Sequence, residues 1–242
     1  MKHFILLFAC IFTLFLMISL PAEANHFVGI NLTGGFPQKD FKNNADKGWG
    51  GSVGYAYGFG GDLPVNLLIG GDFSFLIYGH ETFTKPFSNT IKRVKVDVET
   101  TNQILLFDLT SRFVFTTGFV RPYIEWRGGL SYLYTDSKIK DQFNSGEPIA
   151  STENFSDLTL NSAIGGGFSI PVFHSESGYS YSKERPFTVL IDFKFLYWQG
   201  GEAEYLRKGS IGEDPNTGDL VYDVKKSKTD MTSAHIGVVF EF

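Results

Sequence analysis

After residue 24 the chain has no cysteine; its single one, Cys10, lies in the first apolar run. A disulfide framework and a thiolate metal centre are thereby excluded from residues 25–242, so stability has to come from packing and backbone pairing. No second apolar run approaches the ~20 residues that a membrane-spanning helix needs. There is no basic stripe. Lys and Arg number 21 against 26 Asp and Glu, a formal net charge of −5, so the electrostatic footprint of nucleic-acid binding is missing. No repeat of solenoid period occurs. Phosphate loops, nucleophile elbows and metal-ligand spacings are missing too, and no cofactor or metal is expected.

What is present begins with a leader. Lys2 is followed by an apolar run from Phe4 to Leu20, then Pro21 and Ala22-Glu23-Ala24. That order of charge, apolar run and small residues predicts a signal peptide over 1–24, with the mature chain starting at Asn25. An uncleaved membrane anchor is the alternative; the helix-breaking proline argues against it. Cys10 sits inside the run rather than after it, so lipidation is not expected.

Residues 25–242 then form one large all-β domain. Phe, Trp and Tyr make up 16% of the chain, and 27 residues are glycine. Apolar and small or polar residues alternate over long stretches. HFVGINLTGGF (26–36) sets Val28, Ile30 and Leu32 against Gly29, Asn31 and Thr33. GWGGSVGYAYGF (48–59) sets Trp49, Val53, Tyr55, Tyr57 and Phe59 against glycines, Ser52 and Ala56. The same alternation runs through 65–77, 104–115, 120–134, 158–172 and 187–198. It ends in AHIGVVFEF, where Ala234, Ile236, Val238, Phe240 and Phe242 share one face. Period two is the strand signal, and it predicts eight strands.

Each alternating stretch runs to about 10–15 residues, whereas soluble strands average about 5–6 and a tilted membrane strand needs about 9–11. The links alternate between tight ones (60–64, 116–119) and long polar ones (37–47, about 79–98, 135–157, 199–228). The link at 173–186 is the exception, long on the short side. Short turns on one side and long loops on the other are the pattern of outer-membrane barrels. A lipocalin or a sandwich also alternates, but turns its polar face to water. Here two strands carry almost only Gly, Ala, Ser and Asn on that face, as a crowded narrow lumen requires. The expectation is an eight-stranded antiparallel up-and-down transmembrane barrel, with short periplasmic turns, long extracellular loops and both termini on the short-turn side. Greasy side chains face lipid, and small and charged ones fill the interior.

GINLTGGFPQKDFKNNADKGWGGSVGYAYGFG and the ending IGVVFEF resemble the first hairpin and the terminal signature of the small eight-stranded outer-membrane β-barrel family, the type of the OmpA membrane domain and OmpX. The resemblance implies location in the outer membrane of a Gram-negative bacterium, in contact with its lipid and lipopolysaccharide. It also implies that Ile236, Val238, Phe240 and Phe242 are read by the barrel-assembly machinery. It says little about biochemical role.

The inward face carries Asp72, Asp108, Arg112, Arg121, Glu125, Arg127, Asp192, Lys194 and Glu241, five acids against four bases. Buried charges persist only when paired, so these residues predict an ion-pair network plugging the lumen. The function expected is structural, or surface interaction through the external loops with a protein or host surface, by a monomer. A narrow pore is the alternative, and a lipid A-modifying enzyme a weaker one, since some small barrels do that chemistry with a His, a Ser and an acid. His174-Ser175-Glu176 falls in a periplasmic turn, away from the outer leaflet. His80-Glu81 has Ser88 as its next serine. His235 reads as a network member and His26 as incidental. EDPNTGD (213–219) lacks the full EF-hand pattern. Residues 199–228 predict a hairpin projecting above the membrane, with DPNTG at its tip and an exposed edge for strand addition.

Overall fold

The structure is a computed structural model that describes residues 25–59, 64–86, 95–141, 150–175, 187–213 and 220–242. The leader 1–24, most of the 173–186 link and the 214–219 tip lie outside the described residues. In chain order the elements are β1 (Asn25–Pro37), a one-turn helix α1 (Lys39–Lys42), β2 (Gly48–Phe59), β3 (Val65–Pro86), β4 (Lys95–Phe115) and β5 (Arg121–Asp141). There follow β6 (Ala150–His174), β7 (Thr188–Gly200), β8 (Glu202–Glu213), β9 (Leu220–Lys228) and β10 (Met231–Glu241).

β1 to β7 pair in sequence, each antiparallel to the next, and β10 pairs with both β7 and β1 to close the barrel. β8 and β9 form a separate hairpin inserted before the last barrel strand. Closure leaves no open edge in the ring, which hydrocarbon demands, because each unpaired backbone group there costs several kcal/mol. The C-terminus is held by the same logic: His26 N–H donates to the Phe242 carbonyl at 3.1 Å, and Phe242 N–H donates to the His26 carbonyl at 2.9 Å.

The alternation sorts the side chains as the sequence predicts. Asn31 and Thr33 are buried, while Ile30 and Leu32 between and beside them are exposed. Leu32, Leu109 and Leu160 are 72%, 67% and 71% exposed. Together with Trp126, Ile164, Phe195 and Ile236 they form a band of large apolar side chains facing outward. A water-soluble monomer does not tolerate such a band, whereas lipid requires it. Aromatic rings gather at its two rims. Tyr57 meets Phe59 at 4.5 Å and Phe240 meets Phe242 at 6.5 Å at the terminal end, and Tyr132 stacks on Tyr134 at 5.4 Å at the other.

Three expectations need correction. The long links at 79–98 and 135–157 are mostly ladder: β3, β4, β5 and β6 run 22, 21, 21 and 25 residues. Beyond the lipid both faces of a strand meet water, so apolar alternation ends where backbone pairing does not. Secondly, the interior is not only small and charged. Leu76, Ile104, Leu106, Leu133, Leu196 and Trp198 point inward and form one buried apolar cluster at the outer end of the lumen. A smaller cluster of Leu68, Val114 and Tyr123 lies toward the terminal end. Thirdly, the 199–228 hairpin forms but does not stand free. It leans over the barrel mouth, with Ala203 and Tyr205 buried in the outer cluster and Phe41 of α1 packed beside Tyr205.

Candidate functional site

Between the two apolar layers lies the charged layer. Its members come from inward positions of β3, β4, β5 and β7, fixed by register: Asp72 pairs across from Asp108, Arg112 from Glu125 and Lys194 from His235 of β10. Arg127 is its centre. Its Nη1 and Nη2 donate to the two oxygens of Asp72 at 2.7 and 3.3 Å, and its Nε donates to Glu125 Oε1 at 2.6 Å. Glu125 takes Arg112 on its other oxygen, from Nε at 2.7 Å and from Nη2 at 2.6 Å, and Lys194 Nζ lies 3.9 Å from Oε1. Ser74 adds a hydroxyl to Asp72 at 2.7 Å. Asp192 accepts the Tyr123 hydroxyl on both oxygens at 2.8 and 2.9 Å, and the Arg112 guanidinium lies over the Tyr123 ring at 4.2 Å.

The structure therefore brings together Asp72, Arg112, Glu125, Arg127 and Lys194, and ties in Asp192 through Tyr123. Arg121 and Glu241 are apart from that layer and pair with each other at 2.8 Å nearer the terminal end. Asp108 is the outlier: it is only 5% exposed, yet neither carboxylate oxygen has a hydrogen-bond partner among the described residues. Its side chain leans over Gly129, where a Cβ would meet Asp108 Oδ1 at 2.7 Å. The charged layer leaves little space. Cavities of about 40 and 20 Å³ flank Arg112, room for a few waters rather than a stream of them.

His235 sits in this interior with Thr33 Oγ1 2.9 Å from Nδ1 and Ser233 Oγ 2.8 Å from Nε2. Ser233 also accepts the Trp198 indole N–H at 2.7 Å, and it is 1% exposed. This serine and histidine are thus enclosed by the barrel wall and bonded to inward neighbours. His174 hydrogen-bonds Thr188, and Glu176 lies outside the described residues; His80 hydrogen-bonds Thr101, and Ser88 lies outside them too. Of the terminal set, Ile236, Val238 and Phe242 are exposed outward and Phe240 half-buried on the same face.

The outer mouth is a second site, which the alternation pattern missed. α1 and the β8–β9 hairpin close over it. Phe41 lies 5.7 Å from Tyr78 and 5.2 Å from Tyr205, ring centroid to centroid. Lys39 Nζ donates to Asp230 Oδ2 at 2.7 Å, and Asp230 Oδ1 accepts the Gly200 N–H at 3.1 Å. The bond to Asp230 holds the Lys39 ammonium well above the usual lysine range. A sequence signal existed in the isolated Phe of QKDFKNN and the Tyr-Leu pair of EAEYLRK, apolar residues stranded in polar links.

These features define a class: a small closed up-and-down β-barrel with a lipid-type exterior, a filled lumen and a folded cap. No family model matches the chain, and no curated protein matches it in sequence. Among solved structures it is similar to Ail, the attachment invasion locus protein of Yersinia pestis, at 12% identity over 91% of this chain and 99% of that one, TM-score 0.40. It is also similar to Neisserial surface protein A, at 12% identity over 89% and 95%, TM-score 0.39. A major outer membrane protein of Thermus thermophilus matches at 13% identity over 90% and 99%, TM-score 0.42. Identities this low leave the architecture resting on the chain's own strand pairing.

Proposed function

We propose that this chain is an integral outer-membrane protein of a Gram-negative bacterium that neither conducts nor catalyses, and that acts at the cell surface through its outer strand extensions and cap. The leader 1–24 is removed on export. The outward stripe Ile236, Val238, Phe240 and Phe242 serves the barrel-assembly machinery. The monomer sits among lipid and lipopolysaccharide, and its outer end meets an extracellular protein or host surface. One observation carries the reading. The lumen is filled by Arg127 and its ion pairs between two apolar layers, while the strands that gain length do so at the capped end. Val221, Tyr222 and Val224 of β9 stay exposed there, the kind of apolar edge a protein partner covers.

Planar-bilayer recording of the purified protein is the direct test. The expected trace is flat. Stepwise conductance would replace this reading with that of a narrow pore. Mass spectrometry of lipid A from cells with and without the gene is expected to show no difference; a modified species would point to an enzyme instead.

A further inference from the structure

Arg112 and Arg127 each hold a carboxylate within hydrogen-bond distance, and Lys194 does not. The Lys194 side chain is 2% exposed, and its nearest carboxylate oxygen, Glu125 Oε1, lies 3.9 Å from Nζ, beyond hydrogen-bond reach. That oxygen is already taken by Arg127 Nε at 2.6 Å. His235, opposite Lys194 in the ladder, has both ring nitrogens occupied by Thr33 and Ser233. Lys194 Nζ therefore makes no hydrogen bond among the described residues. An ammonium carries three donors, and leaving all of them unmade in a buried position needs a reason.

Lys194 lines the cavity of about 40 Å³ together with Arg112 and Arg127, and unlike the enclosed carboxylate of Asp108 its Nζ opens on that space. Donors and acceptors in the wall do not balance. Arg112 gives Glu125 its Nε and Nη2, which leaves Nη1 unused in that pair. The two acids of the wall are already engaged: Asp72 accepts from Arg127 on both oxygens and Asp192 accepts the Tyr123 hydroxyl on both. A water entering here brings two more donors to a wall already rich in them, whereas a small anion only accepts. Three cations against two carboxylates in the wall favour the anion as well. The volume is that of about three waters at ~10–15 Å³ each by the same measure, enough for a monatomic ion and too small for a phosphate. A second cavity shares Arg112, Leu68 and Val239 with the first and continues to Arg121 and Glu241, whose side chains are 24% and 17% exposed at the terminal end. Toward the outer end the cluster of Leu106, Leu196 and Trp198 closes the lumen.

We propose that this cavity binds one small monovalent anion, a halide of the size of chloride, held by Lys194 Nζ with the free edge of Arg112. The ion enters past Arg121 and Arg112 from the terminal end and leaves the same way, so the site is blind and carries no current. The proposal goes beyond the surface reading and does not rest on it: the ion is bound inside the barrel, and a partner is met outside it.

Two measurements on the purified chain test it. The first is anomalous diffraction from crystals grown in bromide, in which a bromide peak is expected within about 3.5 Å of Lys194 Nζ. The second is urea-dependent folding into lipid vesicles at constant ionic strength, with gluconate exchanged for chloride. Raising chloride from about 5 to about 500 mM is expected to increase the folded-to-unfolded ratio by at least about fivefold, because an ion that binds only the folded chain stabilises it. Lys194→Met removes an ammonium that makes no hydrogen bond among the described residues, so the barrel is expected to fold while the chloride response and the bromide peak are lost. Should that variant fail to fold, the bromide map of the unaltered chain still decides. A cavity without bromide density, a folding equilibrium indifferent to chloride, or a Lys194→Met variant with an unchanged chloride response would overturn the site and leave water as its occupant.

Discussion

The ring of Tyr205 stands edge-on to the ring of Phe41, centroids 5.2 Å apart and planes at 88°. The two residues come from different external segments, so this contact joins the β1–β2 link to the β8–β9 hairpin above a barrel that neither belongs to. Tyr205→Ala should therefore release the cap and spare the barrel. The local cost is about 3–5 kcal/mol, typical of deleting a buried aromatic ring. Hydrogen exchange is expected to accelerate in α1, β8 and β9 and stay slow in β1–β7 and β10. Uniform acceleration through the barrel would mean that the cap and wall unfold together.

Lys39 and Asp230 add a polar clasp to the same cap. Because the ammonium is favoured in the folded state, chiefly by its hydrogen bond to Asp230, the clasp is fully present below the ordinary lysine pKa of about 10.4. It weakens as pH rises past that value toward the raised one. Exchange of the α1 amides, corrected for intrinsic rate, is expected to be flat from neutral pH to about 10 and to rise beyond it. Lys39→Met should abolish the rise. On the acid side, the hydrogen bond from Lys225 depresses Asp223, so that contribution to the hairpin is lost only as pH falls below the usual aspartate range.

Asp72 and Asp108 are opposite each other in register but differ in partners, and their amides should behave oppositely. Asp72→Asn breaks a buried pair and leaves Arg127 short of charge, at an expected cost of about 3–5 kcal/mol. Asp108→Asn removes a buried carboxylate that makes no hydrogen bond among the described residues and is held only by longer-range attraction to Arg127, and it is expected to stabilise by about 1 kcal/mol. Urea-dependent folding into lipid vesicles reads both. Equal destabilisation by the two substitutions would mean that Asp108 is paired after all.

Leu160 tests which way the barrel faces. It is 71% exposed on the outer face of β6, next to the buried inward Asn161. In lipid, Leu160→Arg should cost about 2–4 kcal/mol if the position is near the midplane, less toward a rim. On a water-facing surface the same change would be close to neutral. The vesicle folding assay separates the two, and a neutral result would contradict the lipid-facing exterior.

The glycine at 129 is the interior counterpart. A Cβ there would run into the Phe107 carbonyl and Asp108 Oδ1, both across the β4–β5 pair. Gly129→Ala is expected to destabilise by about 1–3 kcal/mol through overpacking, with the Asp108→Asn background no better able to accept it because the carbonyl remains.

The sequence by itself determined the barrel. Strand number, the sidedness of Asn31, Ser52, Asp72, Asp108 and Lys194, and the outward stripe ending at Phe242 all follow from a period-two pattern, because in a sheet neighbouring residues point to opposite faces. It also supplied the residues of the charged layer, although not their partners. Which acid meets which base depends on register across strands far apart in the chain; Arg127 and Asp72 are separated by 55 residues, Arg121 and Glu241 by 120. Only the tertiary structure decided that Asp108 stays unpaired among the described residues. Runs such as FSFLIY, ILLF and FLYW are apolar at both parities, so alternation cannot show that Leu76, Ile104, Leu106, Leu196 and Trp198 turn inward to seal the outer lumen. The cap was hidden for a further reason: Phe41, Tyr78 and Tyr205 lie in segments with no periodic signal, and nothing local brings them together. Their contact exists because the mouth of a closed barrel is an apolar surface that water would otherwise cover, and the three rings are what the chain places within reach of it.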